Sequence, residues 1–196
     1  MTKKEPKEIR INQILEAAVI EFVEKGYENA SMESIALRAG ITKGGLYYHF
    51  SSKDEILLKV NDKFMEPVIQ FIGDALNNPD PAEGLTFYIR SYMTFWMNHP
   101  RELVVVFLSL TKTFSNSALS RSYADYARQT IGFFESMYLR GIETGVFKKF
   151  SPLSAAYPLL AALDGIIGYL AIEGCLDLDE SITAFTETFI NRYRKV

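Results

Sequence analysis

The sequence has few of the residues that form disulfide or metal sites. Its 196 residues include one cysteine, Cys175, and two histidines, His49 and His99. A single cysteine excludes a disulfide within the chain, and two histidines so far apart do not match the ligand spacing of a zinc site. We therefore expect no metal ion and no cofactor, and a chain that works in the reducing cytoplasm.

Long apolar runs are also scarce. The longest, residues 157–172, contains Asp164 and falls short of the roughly 18 uninterrupted apolar residues that a membrane helix needs. The N-terminal residues are charged and lack the apolar segment of a secretory signal. The sequence therefore predicts a protein without a membrane partner.

Neither sign of charge is in large excess, since 21 Lys and Arg face 24 Asp and Glu, for a net charge of -3. A negative average argues against binding nucleic acid over the whole surface. The average conceals a division, because residues 1–60 carry nine basic and nine acidic side chains, whereas the remainder carries twelve and fifteen. The remainder also holds 21 of the 26 aromatic residues.

Apolar residues recur at helical spacing along almost the whole chain, and no hairpin signal interrupts them. Ser31, Thr42, Asp80 and Ser151 stand where helix N-caps are needed. The pattern predicts an all-α fold of about nine helices. We place them at residues 11–26, 32–39, 43–50, 53–76, 81–98, 100–110, 117–143, 152–168 and 179–193.

The second and third of these helices are short and join around Gly40 and Ile41. This arrangement predicts a helix-turn-helix, in which the second helix of the motif, residues 43–50, can enter the major groove of DNA. Ala36, Ile41 and Leu46 would hold the two helices together. A helical hairpin that serves protein contacts alone is the less favoured reading, because the second helix also carries exposed polar rings.

The outer face of that second helix suits contact with bases. Lys43 can donate hydrogen bonds to guanine, and Gly44 and Gly45 leave the front of the helix without side-chain bulk. The rings of Tyr47 and Tyr48 can touch thymine methyl groups or bond phosphates. These residues predict the surface that reads DNA.

Three further residues suit phosphate contacts at the edges of that surface. Thr42 lies at the start of the second helix of the motif, and Lys53 lies at the start of the next helix. His49 is a candidate phosphate donor. Lys3, Lys4, Lys7 and Arg10 could form an additional phosphate-contacting arm or a solvated tail, and the interspersed glutamates leave both readings open.

With these features, the first third of the chain resembles the DNA-binding region of the TetR family of transcriptional regulators. The matching stretches are residues 14–18, 22–27, 34–36, 39–41, 43–50 and 52–57, which read ILEAA, FVEKGY, SIA, AGI, KGGLYYHF and SKDEIL. So many positions at fixed spacing make the resemblance specific. The rest of the chain resembles the family only in length and helical layout.

The resemblance implies a homodimer that binds a palindromic DNA operator and is released by a small-molecule effector, which is how a repressor works. It implies a helix-turn-helix domain at residues 1–52 and a ligand-binding and dimerisation domain at residues 53–196. The family's DNA contacts, carried over by position, fall on Ser31, Met32, Thr42, Lys43, Gly44, Gly45, Tyr47, Tyr48, His49 and Lys53.

The aromatic residues of the second domain could line an effector pocket or could simply form its core. We select Trp96, His99, Phe107, Tyr123 and Tyr126 as candidate ligand contacts, which suits a small lipophilic or aromatic effector. His99 could instead make only a local hydrogen bond near Pro100, which is the favoured reading for that residue.

The eighth helix has a face with almost no side-chain bulk, which lets another helix approach closely. Together with the ninth helix it predicts a dimer interface in the form of an intersubunit four-helix bundle, although packing within the chain is the alternative. Asp164 lies on this helix, and we favour a place at the dimer interface over contact with a cationic ligand. The candidate interface residues are Ala161, Asp164, Gly165, Gly168, Ile172, Phe185 and Phe189.

Two other classes of function are weighed against a DNA-binding regulator. An enzyme acting on a lipophilic substrate would need a nucleophile or an acid and base pair, and the sequence offers no such constellation. A small-molecule-binding helical protein without DNA binding would not need Tyr47, Tyr48, His49 and Lys53. We therefore expect a regulator and not an enzyme.

Overall fold

The computed structural model describes residues 6–195, and within that range the chain folds into nine α-helices, as predicted. A π-helical turn, Thr186–Ile190, and a 3₁₀ turn, Asn191–Tyr193, follow the last of them. The helices are α1 Lys7–Asn29, α2 Met32–Arg38, α3 Lys43–His49, α4 Lys53–Leu76, α5 Pro81–Asn98, α6 Pro100–Lys112, α7 Ser117–Glu143, α8 Pro152–Leu170 and α9 Leu178–Phe185.

The ends of the short helices are set by side chains that the sequence analysis identified as caps. The Ser31 hydroxyl accepts from the Ser34 N–H at 3.0 Å, and the Ser34 hydroxyl accepts from the Ser31 N–H at 3.1 Å. Thr42 Oγ1 accepts from the Gly45 N–H at 3.1 Å. Gly40 has a φ of +67°, which a side chain would strain, and this turns the chain sharply between α2 and α3.

The chain divides into two compact units. The first consists of the described residues up to Met65 together with Arg101–Ser120, and the second consists of Glu66–Pro100 together with the described residues from Arg121 onward. Helices α4 and α7 therefore contribute to both units. The two compact units do not divide at residue 52, because the start of α4 and part of α6 belong to the first one. The predicted boundary between a DNA-binding domain and a ligand-binding domain at residue 52 stays a prediction.

The core of the first unit joins α1, α2, α3 and the start of α4. Phe22, Ile35, Leu46 and Ile56 are completely buried in it, and each contributes roughly 1.5–3 kcal/mol through removal of its side chain from water. Ala36 is buried and Ile41 packs against the same core, as expected for residues that hold the helix-turn-helix together. This core fixes the orientation of α3.

The core of the second unit is rich in aromatic rings. Tyr88 on α5 packs against Phe133 and Phe134 on α7, with ring centroids 5.1 and 5.3 Å apart. Tyr138 packs against Phe147 at 5.8 Å. Seven of the 21 aromatic residues after residue 60 are buried, and all seven lie in this unit.

Helix α8 is long and apolar enough, by length and composition, to cross a membrane, although core helices of soluble proteins pass the same test. It is longer than the apolar stretch that the sequence suggested. Leu159, Leu163 and Leu170 are buried, and α8 packs on α5 within the second unit. These contacts bury one side of the helix.

The last predicted helix, residues 179–193, is wrong in its second half. Helix α9 ends at Phe185, and the backbone widens into the π-helical turn. The Phe189 carbonyl accepts a hydrogen bond from the Tyr138 hydroxyl at 2.8 Å, and the Tyr193 ring stacks on Phe150 at 4.0 Å. These contacts come from distant parts of the chain, so helical periodicity did not reveal them.

Candidate DNA-binding surface and effector site

Helix α3 turns most of its polar residues to solvent. Tyr48 is 80% exposed and Tyr47 is 49% exposed, although both carry large rings that are usually at least half buried. The His49 ring meets the Tyr48 ring edge to face at 5.1 Å. Lys43 is exposed and lies 3.7 Å from Glu33 in a solvent-accessible ion pair. The four predicted contacts are therefore presented together.

The two glycines of α3 leave its front bare. A Cβ atom on Gly44 would meet nothing within 4 Å, whereas one on Gly45 would lie 3.3 Å from Thr42 Oγ1. A side chain at residue 45 would therefore press on the N-cap of α3. Another surface can approach the backbone closely at both positions.

The two predicted contacts at the start of α2 have different environments. Ser31 is exposed, and its hydroxyl is part of the capping pair with Ser34. Met32 is partly buried and packs against the first core. In the predicted arm, Lys7 is exposed and Arg10 is partly buried, whereas Lys3 and Lys4 lie outside the described residues.

Lys53 has a structural role that the sequence did not reveal. Its amine donates to the backbone carbonyls of Tyr27, Glu28 and Ala30 at 2.5, 3.2 and 2.8 Å. An ammonium group has three N–H donors, so these contacts use all of them at the end of α1. The amine also lies 4.3 Å from the centroid of the Tyr27 ring. A direct phosphate contact by this amine stays a prediction.

Further polar contacts surround Lys53 and join the end of α1 to α4 and α6. The Tyr27 hydroxyl donates to Asp54, which also accepts from Asn116 at 3.0 Å, and the Lys112 amine pairs with Glu28. We call this set the Tyr27 cluster. Its members are Tyr27, Glu28, Lys53, Asp54, Lys112 and Asn116.

The charges of the Tyr27 cluster shift one another's pKa values. Partial burial lowers the pKa of Lys53, and the carboxylates of Glu28 and Asp54 oppose that change. Burial raises the pKa of Tyr27, and its hydrogen bond to Asp54 raises it further. Each charged group in the cluster thus has an oppositely charged neighbour.

A second ion-pair group ties α1 to α2. Glu21 is buried, and its carboxylate accepts from Lys25 Nζ and from Arg38 Nε, each at 2.7 Å. Burial alone would raise the pKa of Glu21, but hydrogen bonds from Lys25, Ser34 and Arg38 outweigh it and lower the pKa to about 2. Arg38 also pairs with Glu24, so α2 is attached to α1 by charge as well as by the core.

The five predicted effector contacts do not lie in one unit. Phe107 belongs to the first unit, and the other four belong to the second. The His99 ring stacks on Phe95 at 4.3 Å, and its Nδ1 lies 2.7 Å from the Phe95 carbonyl oxygen, which is the local role favoured from the sequence. Tyr123 is partly buried. Their role as ligand contacts stays a prediction.

Of the remaining two, Tyr126 contacts Asp164 directly and Trp96 is connected to it through Tyr92. The Asp164 carboxylate accepts from the Tyr92 hydroxyl at 2.8 Å and from the Tyr126 hydroxyl at 3.4 Å. Tyr92 in turn meets the Trp96 ring edge to face at 6.4 Å. We call this set, with the neighbouring side chains on α5 and α7, the Asp164 cluster. Its members are Tyr88, Tyr92, Trp96, Tyr126, Thr130 and Asp164.

Desolvation dominates the electrostatics of the Asp164 cluster. It raises the pKa of Asp164, and the hydrogen bonds from Tyr92 and Tyr126 counter this only in part. Burial and the carboxylate together also raise the pKa of Tyr88, Tyr92 and Tyr126. Neither Tyr88 nor Tyr92 is among the ligand contacts predicted from the sequence, although Tyr88, Tyr92 and Trp96 follow one another at the four-residue spacing of a single helix face.

The predicted dimer face of α8 is largely uncovered in the single chain. Ala161 and Gly165 are exposed, and a Cβ atom on Gly165 would meet nothing within 4 Å. Ile172 is exposed, whereas Asp164 and Gly168 are partly buried. Phe185 and Phe189, also partly buried, pack together with ring centroids 5.3 Å apart. The apolar exposure suits an interface, which stays a prediction.

No group of three or more His, Cys, Asp or Glu side chains within residues 6–195 is placed to hold a metal ion.

Comparison with known proteins gives a consistent result. Residues 14–60, which contain the helix-turn-helix, match the profile described as "Bacterial regulatory proteins, tetR family". Over 91 residues the chain is 36% identical to the HTH-type transcriptional activator FasR of Mycolicibacterium smegmatis. That match covers 46% of the chain and 42% of FasR, so it spans less than half of that relative's length.

Two further matches extend over most of the chain. It is 27% identical over 153 residues to the fatty acid metabolism regulator protein of Bacillus subtilis, which covers 76% of the chain and 75% of that protein. Among solved structures, a TetR transcription regulator from Haloarcula marismortui superimposes with a TM-score of 0.84 at 18% identity, over 96% of this chain and 100% of that one. The latter shows the same fold.

Proposed function

Because the chain belongs to the TetR family of DNA-binding transcriptional regulators, we propose that it is a ligand-controlled repressor. It binds a palindromic operator as a homodimer, and a small lipophilic or aromatic effector releases it. Regulators of this family are not enzymes. A bacterial regulator of transcription meets its operator in the cytoplasm, which is where we place this protein.

The observation that carries the DNA-binding proposal is the exposed face of α3. Two tyrosine rings and a lysine project from a helix whose inner side is fixed by the fully buried Leu46. Large rings are held in solvent at a cost unless a partner covers them. In a helix-turn-helix that partner is the major groove.

The homodimer follows from the geometry that an operator demands. Two recognition helices must reach successive turns of one face of the duplex, so the operator's palindrome mirrors a two-fold axis in the protein. The uncovered small-residue face of α8 supports an interface in which helices of two subunits approach closely. The four-helix bundle of α8 and α9 from each subunit is our proposal for that interface.

The effector proposal is supported by the aromatic interior of the second unit and by the relatives' names. One relative is named as a fatty acid metabolism regulator, and another is named as a transcriptional activator. We propose an effector with a lipophilic body for this chain. An effector that fits only a different spacing of the two α3 helices would lower operator affinity, which favours repression relieved by the effector.

Anisotropy titration with labelled DNA from upstream of the protein's own gene tests DNA binding. We expect saturable, salt-sensitive binding to a palindromic site there and much weaker binding to a scrambled duplex. Tyr48→Ala should reduce affinity at least tenfold, and Lys43→Ala should relax base preference at its contact. Phe87→Ala, which truncates an exposed ring on α5, is the control.

Equal affinity for the palindrome and the scrambled duplex would contradict the DNA-binding proposal. Equal loss from Tyr48→Ala and Phe87→Ala would contradict the role given to α3. In a transcription assay on the same promoter, the protein should reduce transcript, whereas an increase would show an activator.

A further inference from the structure

The carboxylate of Asp164 lies among neutral groups in the interior of the second unit. Its hydrogen bonds come from the hydroxyls of Tyr92 and Tyr126. In the part of the chain that the structure describes, no lysine, arginine or histidine forms an ion pair with it. A desolvated carboxylate is usually paired with a cation, so the negative charge of this one is incompletely compensated.

Aromatic residues continue from this carboxylate along α5, starting at its hydrogen-bond partner Tyr92. Tyr88, Tyr92 and Trp96 follow one another at four-residue spacing on α5, and the rings of Tyr88 and Tyr92 stack at 6.0 Å with an interplanar angle of 20°. Their faces carry negative electrostatic potential, and the face of tryptophan attracts cations most strongly. A carboxylate combined with several ring faces is a combination of groups that attracts an organic cation.

Two further features indicate a site that a ligand completes. Trp96 is 1% exposed, and its indole N–H makes no hydrogen bond within the described residues. Buried donors of this kind are uncommon in folded proteins. Asp164 and Tyr126, in contrast, are only partly buried as residues, so this end of the cluster is the one nearest to solvent.

We propose that the Asp164 cluster binds the cationic end of the effector, an alkylammonium group whose charge is held by Asp164 and whose methyl or methylene groups contact Tyr88, Tyr92 and Trp96. The inference deepens the proposed function and rests on it, because it assigns a charge to the effector's polar end. A fatty acid would instead place its carboxylate beside that of Asp164, where the two negative charges repel.

The test uses three ligands that share a ten-carbon chain and differ in head group: decyltrimethylammonium, decanol and decanoate, each below its micellar concentration. Trp96 is the single tryptophan of the chain, so its fluorescence reports on the cluster directly. We expect a saturable change with decyltrimethylammonium, and affinities at least tenfold lower for decanol and decanoate. Tighter binding of decanoate or decanol would overturn the proposal.

Asp164→Asn tests the charge, because asparagine keeps a carbonyl oxygen that can accept from Tyr92. We expect it to weaken decyltrimethylammonium at least tenfold and leave decanol unchanged, whereas Asp164→Glu should retain the preference for the cation. Asp125→Asn, at an exposed carboxylate on α7, is the matched control. An Asp164→Asn variant that binds the cation as tightly as the wild type would overturn the proposal.

The pH dependence gives a readout that a purely structural role would not show. The quaternary ammonium does not titrate, so its affinity follows the charge of Asp164, which faces Tyr88 and Tyr92 on α5 and Tyr126 on α7. We expect the affinity to fall as pH is lowered through the pKa of Asp164, which burial raises. A flat profile down to pH 3.8, the ordinary pKa of an aspartate side chain, would contradict this role.

Operator binding by the ligand-free protein separates this inference from the function on which it rests. If the wild type binds its operator but shows no preference for the cation, the cation site is overturned and the regulator stands. If it shows Asp164-dependent binding of the cation but no operator binding, the site stands and the regulatory role fails.

Discussion

The Tyr27 cluster in the first unit and the Asp164 cluster in the second differ in how their charges are balanced: the Tyr27 cluster pairs partly exposed charges of both signs, whereas the Asp164 cluster holds one largely buried carboxylate. In the Tyr27 cluster, Lys53 and Lys112 face Glu28 and Asp54, and the lysine at the start of α4 also closes the end of α1. In the Asp164 cluster, a carboxylate has only neutral hydroxyls beside it.

This difference indicates what each region does. A group of charges neutralised within the chain stabilises the arrangement of helices that positions α3, and it needs nothing from outside. A carboxylate left without a cation reduces the stability of the free protein and is suited to a partner that supplies positive charge. Substitutions that remove one of these charges should therefore lower the free energy of unfolding in the first unit and raise it at Asp164.

The largest loss is expected from Glu21→Gln, which weakens the buried ion pairs between α1 and α2. Hydrogen bonds lower the pKa of Glu21 from 4.5 to about 2, a difference equivalent to about 3 kcal/mol of unfolding free energy at pH 7. Urea unfolding followed by circular dichroism measures it. Glu24→Gln, at the exposed partner of Arg38, should cost less than about 1 kcal/mol.

The pH dependence of this stabilisation follows from the sign of the shift. Because the pKa is lower in the folded state, the contribution is present above pH 4.5 and is lost as pH falls toward 2. The Glu21→Gln variant should therefore approach the wild type in stability at low pH. A constant difference between the two proteins from pH 7 to pH 3 would contradict the ion-pair account.

Lys53→Met should produce the next largest effect, a loss of about 2 kcal/mol, because three backbone carbonyls at the end of α1 lose a charged donor. Thermal unfolding followed by circular dichroism measures it. Lys59→Met removes an exposed amine on the same helix and should change stability by less than about 0.5 kcal/mol.

DNA binding by Lys53→Met separates its two roles. If the amine acts only through the fold, operator affinity at a temperature where the variant is fully folded should match the wild type. If it also binds phosphate, affinity should fall equally on specific and random DNA, with a smaller dependence on salt.

The sequence was sufficient to predict the two helices of the helix-turn-helix and the exposed residues of the second one. Short-range signals define α2 and α3, since Ser31, Gly40 and Thr42 act on residues within a few positions of themselves. The exposed rings of α3 followed from the same local pattern. Local signals also placed most helix ends in the second unit.

The Tyr27 and Asp164 clusters were not predicted because their members come from separate helices. Lys53 was interpreted as a phosphate contact, since nothing local shows that its amine reaches the end of α1. Asp164 was assigned to the dimer interface because its position on α8 is visible in the sequence, whereas its bonds to Tyr92 and Tyr126 require α5, α7 and α8 to be packed. For the same reason Phe107 was grouped with residues of the other unit.

Asp164→Asn should have the smallest effect and the opposite sign, a gain of about 1 kcal/mol at pH 7, because it removes a desolvated charge and retains an acceptor for Tyr92. The pKa of Asp164 is raised in the folded state, so the contribution of this one carboxyl to stability is fully present below pH 3.8 and is lost as pH rises through its folded-state pKa. Unfolding followed by Trp96 fluorescence measures both, with Asp125→Asn as the control. A loss above about 1 kcal/mol would mean that the carboxylate's hydrogen bonds outweigh its desolvation, and the two clusters would then be alike.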